Sequence, residues 1–300
     1  MILIDMNQVM ISNLMVQVKL SDGIDKGLVR HMVLNSLRMY IQKFQEEYGK
    51  ELVLCYDSKR YWRREFFPYY KGTRKKDREK SSFNWAQIFE VLNEIRDEIR
   101  HNMPYVVMEV DGAEADDIIS VLTKHIAFKN IRLQKDMQPA EKVLILSGDK
   151  DFIQLQKYPW LKQYNPVMKK FVSGMNPKQY IIEHVLKGDK SDGIPNYLSP
   201  DDIFVTGGRQ KPISKKNLDK WIDQEPSAFC ATQDLQKNYY RNKQLIDFDC
   251  VPDEIESKIL EEYSSLNTNE KKVPLEYFRD HQLSELMESY FFRTNVNFKQ

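Results

Sequence analysis

The 300-residue chain predicts an α/β fold, a twisted, mainly parallel sheet flanked by helices and followed by a smaller, mostly helical region. Three observations point there. Four apolar runs of strand length, at residues 2–4, 52–56, 105–110 and 143–146, alternate with long stretches whose apolar residues recur at helical spacing. Each run ends in, or is soon followed by, an acidic residue. After about residue 188 Gly and Pro cluster, and only short amphipathic segments follow.

Each element has its own signal. The opening ILID is too short for a helix and reads as a buried strand. Residues 28–48 space their apolar side chains for one helical face, and LVLCYD is the second strand. A second helix is expected over 83–100, and Pro104 breaks the chain before the third strand. Residues 115–128 form a third helix before the strand VLIL. Strands separated by helices pair in parallel, because a parallel neighbour needs a crossover of helical length. Further helices are expected at 216–224, 226–245, 252–263 and 275–290. The chain divides into residues 1–187 and 188–300, packed together, since no long linker separates them.

Composition excludes some classes. No apolar run approaches the roughly 18–20 residues of a membrane span. The opening MILIDMNQ lacks the basic start and apolar stretch of a signal peptide. The three cysteines, Cys55, Cys230 and Cys250, fit no zinc spacing, so reduced thiols and a cytoplasmic location are expected. Net charge is only +1, but residues 59–80 (KRYWRREFFPYYKGTRKKDREK) hold ten basic and three acidic residues. Such a local patch on a near-neutral protein is what a phosphate backbone would need.

The acids carry the chemical signal. Asp5 ends the first strand and Asp57 the second; Glu114, Asp116 and Asp117 (EADD) follow the third, and Asp149 and Asp151 (GDKD) the fourth. In an open parallel sheet the carboxyl ends of the strands share one edge, where ligands bind. Singly, each acid has a plainer explanation. EADD suits the first turn of a helix and GDKD an Asx turn. Repetition over four strands is what those explanations leave out. So many anions at one edge would repel unless cations bound there, and carboxylate oxygens suit Mg²⁺ or Mn²⁺. A fifth piece, GDKSD, supplies Asp189 and Asp192; alone it reads as a capping turn, and folded back it would complete a second metal position.

In order, LIDMNQ, LVLCYDS, YWRREFFPYYKGTR, DGAEADD, SGDKDF and KGDKSDGIPN resemble the flap endonuclease/5′–3′ exonuclease family, and in particular its T-even phage type of ribonuclease H. The resemblance covers roughly residues 1–200 motif by motif and continues more loosely through FVTGGRQKP and NKQLIDFDCVPD. It implies a 5′-nuclease (PIN-like) catalytic domain over 1–187, a helical arch at 59–80 and a helix–hairpin–helix-like DNA-binding region over 188–300. It also implies hydrolysis that leaves 5′-phosphates, on DNA or RNA–DNA hybrid with a 5′ end, flap or fork, and removal of RNA primers in replication. Two Mg²⁺ ions would serve, with Mn²⁺ able to substitute. By position, Asp5, Asp57, Glu114, Asp116 and Asp149 would form the first metal site and its shell, Asp151 and Asp192 the second, with Asp117 and Asp189 as outer-shell acids. One departure stands out. The family's compact Gly-rich hairpin after the last acidic motif is replaced by YLSPDDIFVTGGRQKPISKK, which keeps a basic loop of Arg209, Lys211, Lys215 and Lys216.

Within the arch segment a charge run is ordinarily a solvated face, and aromatics ordinarily pack. Here they interleave, the pattern that neutralises phosphates and stacks bases of a single strand. Lys71 and Arg74 are the expected cations on the scissile phosphate, with Arg63, Arg64, Tyr69, Tyr70, Lys75 and Lys76 holding the strand. Expected partners extend to single-strand DNA-binding protein and a sliding clamp. Ser284, Met287, Tyr290 and Phe291 have clamp-peptide spacing, although a buried helix face explains them more simply. Two alternatives compete. A haloacid dehalogenase-type phosphatase would need a second Asp at position 7, where Asn7 stands; a fork-DNA-binding accessory protein without catalysis would not need the full acid set.

Overall fold

The protein is described by a computed structural model covering residues 1–20, 23–266 and 274–287. Its strands are β1 (Ile2–Asp5), β2 (Leu52–Cys55), β3 (Val106–Met108), β4 (Val143–Leu146), β5 (Leu161–Asn165) and β6 (Lys170–Val172). They form one sheet in the order β3-β2-β1-β4-β5-β6, parallel except for β6. Between them run α1 (Met6–Leu20), α2 (Lys26–Tyr48), α3 (Trp62–Phe66), α4 (Arg74–Glu79), α5 (Trp85–Asn102) and α6 (Ala115–Lys135). After β6 come α7 (Pro177–Lys187), α8 (Lys215–Ile222), α9 (Pro226–Phe229), α10 (Gln233–Ile246), α11 (Asp253–Leu266) and α12 (Leu275–Asp280).

The strand order reverses beside β1. The chain winds outward through β2 and β3, then returns to β4 on the other side, so the β1/β4 boundary is the switch point where ligands bind in open sheets. Alternation along the strands builds two cores. Ile2, Ile4, Leu52, Leu54, Leu144 and Leu146 face α1, α2 and α5. Leu3, Val53, Cys55, Val143 and Ile145 face α6 and α11.

The C-terminal part does not keep to itself. Phe248, Val251, Ile255, Ile259 and Tyr263 join the α6 core, and Tyr277, Phe278, Leu283 and Leu286 join the α2/α5 core. A third cluster joins Phe67 and Tyr70 of the basic segment to Val185 and Leu186 of α7 and to Leu218, Tyr239 and Leu245. The expected boundary at 187/188 therefore falls at the end of α7, but the cores cross it. The expected helix over 226–245 is two helices, α9 and α10, the second capped by Thr232, whose hydroxyl accepts from the Leu235 amide at 3.3 Å. Of the clamp-like spacing, Ser284 is exposed and Met287 half-buried, and Tyr290 and Phe291 lie outside the described residues. Among the described residues no helix is long and apolar enough to cross a membrane.

Candidate active site

Each acid is set by the backbone that carries it. Asp5 closes β1 and starts α1: one oxygen accepts from the Gln8 amide at 3.2 Å, the other from the Ser147 hydroxyl at 3.0 Å. Asp57, beyond β2, accepts from the Ala115 amide at 2.8 Å, fixing it against the first turn of α6. Glu114 is the N-cap of α6 and shares a capping box with Asp117. Asp149 starts the 3₁₀ segment Lys150–Lys157 after β4 and accepts from the Asp151 amide at 3.0 Å. That turn is held by β5, where the buried Gln163 amide donates to the Ser147 carbonyl at 3.0 Å and the Asp149 carbonyl at 2.5 Å.

These carboxylates disturb one another. Burial, then Asp57, push the Asp5 carboxyl up to about 6. Asp57 is raised by burial against the pull of Lys71. Asp116 is raised well above the usual range by burial, then by Asp149, Asp5 and Asp57, and among the described residues no protein donor reaches it. Asp149 is pushed up to about 6 by the surrounding protein and then by Asp151. Like charges crowded at a sheet edge fit a site for hard divalent ions.

The second acidic loop folds back as the sequence implies. Gly188, at φ 67°, turns the chain at the end of α7, where a Cβ would collide with the backbone of Ile194 and Pro195. Asn242 ties this loop to α10, donating to the carbonyls of Val185 at 2.9 Å and Pro195 at 2.8 Å. Asp192 accepts from the Tyr70 hydroxyl at 2.8 Å and the Arg74 guanidinium at 2.6 Å. Asp189 and Asp151 flank His184, Nε2 to Asp189 at 3.3 Å and Nδ1 to Asp151 at 3.1 Å. Burial opposes the charged ring, yet the two acids raise the His184 pKa to about 10 and hold Asp189 well below the carboxylate range. Asp116, Asp151, Asp189 and Asp192 line a cavity of about 10 Å³, room for roughly one water-sized species. His184 was not anticipated; a single His between Tyr180 and Asp189 matches no metal spacing, and only the fold brings it to the acids.

The basic segment departs most from expectation. Arg63, expected on the strand, is 3% exposed and donates to Glu114 at 2.9 Å, Asp117 at 2.9 Å and the Leu245 carbonyl at 2.8 Å. Asp117, expected near a metal, is fully buried and spends its carboxylate on Arg63, the Trp62 indole at 3.2 Å and the Glu114 amide at 3.0 Å. Tyr70, expected to stack on bases, is buried with its hydroxyl on Glu114 and Asp192. The physical reason is shared: buried carboxylates need a buried cation and donors, and this segment supplies them. Lys71, in a left-handed conformation at φ 54°, is also buried; its amide donates to the Asp192 carbonyl at 2.7 Å and its ammonium pairs with Glu114, which raises its pKa despite burial. Arg64, Tyr69, Lys75 and Lys76 are exposed, as are Arg209, Lys211, Lys215 and Lys216.

Comparison with known proteins places this arrangement. The pattern of the 5′–3′ exonuclease N-terminal, resolvase-like domain matches residues 1–184, and that of the C-terminal part of T4 RNase H matches 176–291. Ribonuclease H of Enterobacteria phage T4 is 35% identical over 295 residues, 96% of this chain and 93% of the relative. A 5′-3′ exonuclease of Aquifex aeolicus is 28% identical over 250 residues, 78% of each chain. The D15 protein of phage T5, co-crystallised with metal ions, shares the fold at TM-score 0.56 and 14% identity over 96% of this chain and 98% of that one. The chain therefore belongs to the 5′–3′ exonuclease family of nucleases, in the branch whose C-terminal part is of the T4 ribonuclease H type.

Proposed function

We propose that the chain is a Mg²⁺-dependent 5′-to-3′ exonuclease and flap endonuclease acting on RNA–DNA hybrids, duplex DNA and 5′ flaps, and that it removes RNA primers during DNA replication. One observation carries the reading: Asp5, Asp57, Asp116 and Asp149 converge at the switch point with pKa values raised by burial and by neighbouring carboxylates, and no protein donor meets Asp116 among the described residues. All-oxygen ligands fit Mg²⁺, with Mn²⁺ as substitute. Asp5, Asp57, Asp116 and Asp149 would hold one ion, with Glu114, spent on Arg63, Lys71 and Tyr70, behind them, and Asp151, Asp189 and Asp192 a second. Bound there, the ions supply charge to polarise the scissile phosphate and acidify the attacking water.

The chain's own residues do the rest. Amides of Gln8, Ala115 and Asp151 fix the carboxylates, so the site is organised before substrate arrives. Lys71 and Arg74 bring positive charge beside Glu114 and Asp192, where they would steady charge developing on the phosphate. Arg64, Tyr69, Lys75 and Lys76 would hold the single strand, and Arg209, Lys211, Lys215 and Lys216 the duplex phosphates. Single-strand DNA-binding protein and a sliding clamp are the replication partners this role would meet. The test is cleavage of a 5′-labelled flap with Mg²⁺ and with EDTA, beside a phosphomonoester. Mg²⁺-dependent release of flap products supports the reading. Phosphomonoester hydrolysis alone would return the phosphatase alternative, and binding without cleavage the accessory one.

A further inference from the structure

Asp151 and Asp189 reach the small cavity from unrelated parts of the chain, the 3₁₀ segment after β4 and the loop after α7. The two segments pack on each other though they are far apart in sequence, and two carboxylates side by side repel. His184 does not line that cavity. It lies across the pair, each ring nitrogen facing a different carboxylate, Asp151 Oδ1 at 3.1 Å and Asp189 Oδ2 at 3.3 Å. Tyr180, one helical turn earlier, donates to the same Asp151 oxygen at 3.2 Å and lies 3.1 Å from His184 Nδ1. Asp189 Oδ1 accepts from the amide and hydroxyl of Ser191, both at 2.7 Å. Among the described residues Asp151 Oδ2 has no protein donor, which leaves it for a cation in the cavity.

Resting on the metal-dependent function proposed above, we infer that His184, backed by Tyr180, is a positioning residue for the second divalent cation: it holds Asp151 and Asp189 at ligand spacing and does not itself ligate. A ring whose two nitrogens are both engaged by carboxylates has none free for the ion. The carboxylates gain what a second layer of hydrogen bonds gives a metal site, fixed orientation.

The test is Mn²⁺ binding to the full chain, counted by EPR, with pulsed EPR to detect nitrogen bonded to the ion. The chain has five histidines, and among the described residues only His184 joins a group able to hold a metal, so a nitrogen signal has one source. The wild type should bind two classes of Mn²⁺, neither showing directly bound imidazole. His184→Gln should weaken one class about 10- to 100-fold, the range for losing such a supporting partner, and leave the other unchanged. Tyr180→Phe, which keeps the ring in place, should weaken the same class less, and decides the matter if His184→Gln does not fold. Both classes unchanged in a folded variant would overturn the inference, as would a bound-imidazole signal, which makes His184 a ligand. No Mn²⁺ binding by the wild type would overturn this and the metal-dependent function together.

Discussion

Replacing Arg63 by Met tests how the basic segment is built. The guanidinium is buried against Glu114, Asp117 and the Leu245 carbonyl, joining α3, α6 and α10. Methionine fills much of the space but removes the charge. Glu114 would keep Lys71 and Tyr70, whereas Asp117 would keep only the Trp62 indole and the Glu114 amide, with no cation. Breaking one side of a buried ion pair costs about 3–5 kcal/mol. At about 2.1 cal/mol/K per residue, a chain of this length has an unfolding entropy of about 0.6 kcal/mol/K, so the expected drop in Tm is about 5–8 °C. Scanning calorimetry in EDTA, without DNA, measures it. Arg64→Ala is the control: Arg64 is exposed, so Tm should move by less than about 1 °C while flap affinity falls. If Arg63→Met left Tm unchanged and chiefly weakened flap binding, Arg63 would be a strand-holding residue, and the buried-network argument would be refuted.

Three further outcomes follow from the same geometry. Replacing Lys211, Lys215 and Lys216 together by Ala should weaken duplex binding alike across sequences and flatten its salt dependence; unchanged affinity and slope would make the loop an ordinary solvated surface. Trypsin should cut the free protein among the exposed Lys75, Lys76, Arg78 and Lys80, and a 5′ flap in Ca²⁺ should protect those sites; equal cutting with and without DNA would remove α4 from the strand path. The third concerns pH. Asp5 and Asp149 have folded pKa values raised to about 6, above their unfolded values, so the folded state binds more protons between about pH 4 and 6. Their contribution is greatest below the unfolded pKa and is lost as pH rises through 6. In EDTA, Tm should therefore rise on acidification from pH 7.5 to 5, and Asp116→Asn should flatten the slope by removing one like charge. An apo Tm that falls over that range would contradict the crowding.

Some of this was legible in the sequence for physical reasons. VLIL and LVLC are buried on both faces and so read as plain apolar runs. β5 was hidden because Gln163, at its buried centre, is polar and satisfied by the turn carrying Asp149. α1 was hidden because Asp5 ends the strand and begins the helix in one residue, leaving no turn signal between ILID and MNQ. The converging acids followed from topology alone. What could not be read was which basic residues face inward. Arg63 and Arg64 are neighbours with identical side chains, and only the packing of α3 on Asp117 and α10 separates the structural one from the exposed one. The pairing of His184 with Asp151 and Asp189 likewise depends on α7 folding back over the sheet edge.

The most direct test of the central claim is calorimetric Mg²⁺ binding joined to single-turnover cleavage of a 5′-labelled flap, for the wild type and for Asp116→Asn. Asp116 is raised well above the usual range by burial and then by Asp149, Asp5 and Asp57, without a protein donor among the described residues, so it should matter most to the ion. The expected result is Mg²⁺ binding and cleavage by the wild type, with cleavage abolished and the first ion's binding lost in a folded Asp116→Asn that still binds the flap, since flap affinity comes from phosphate contacts elsewhere. Cleavage at the wild-type rate in EDTA, or by Asp116→Asn in Mg²⁺, would contradict a carboxylate-held metal centre.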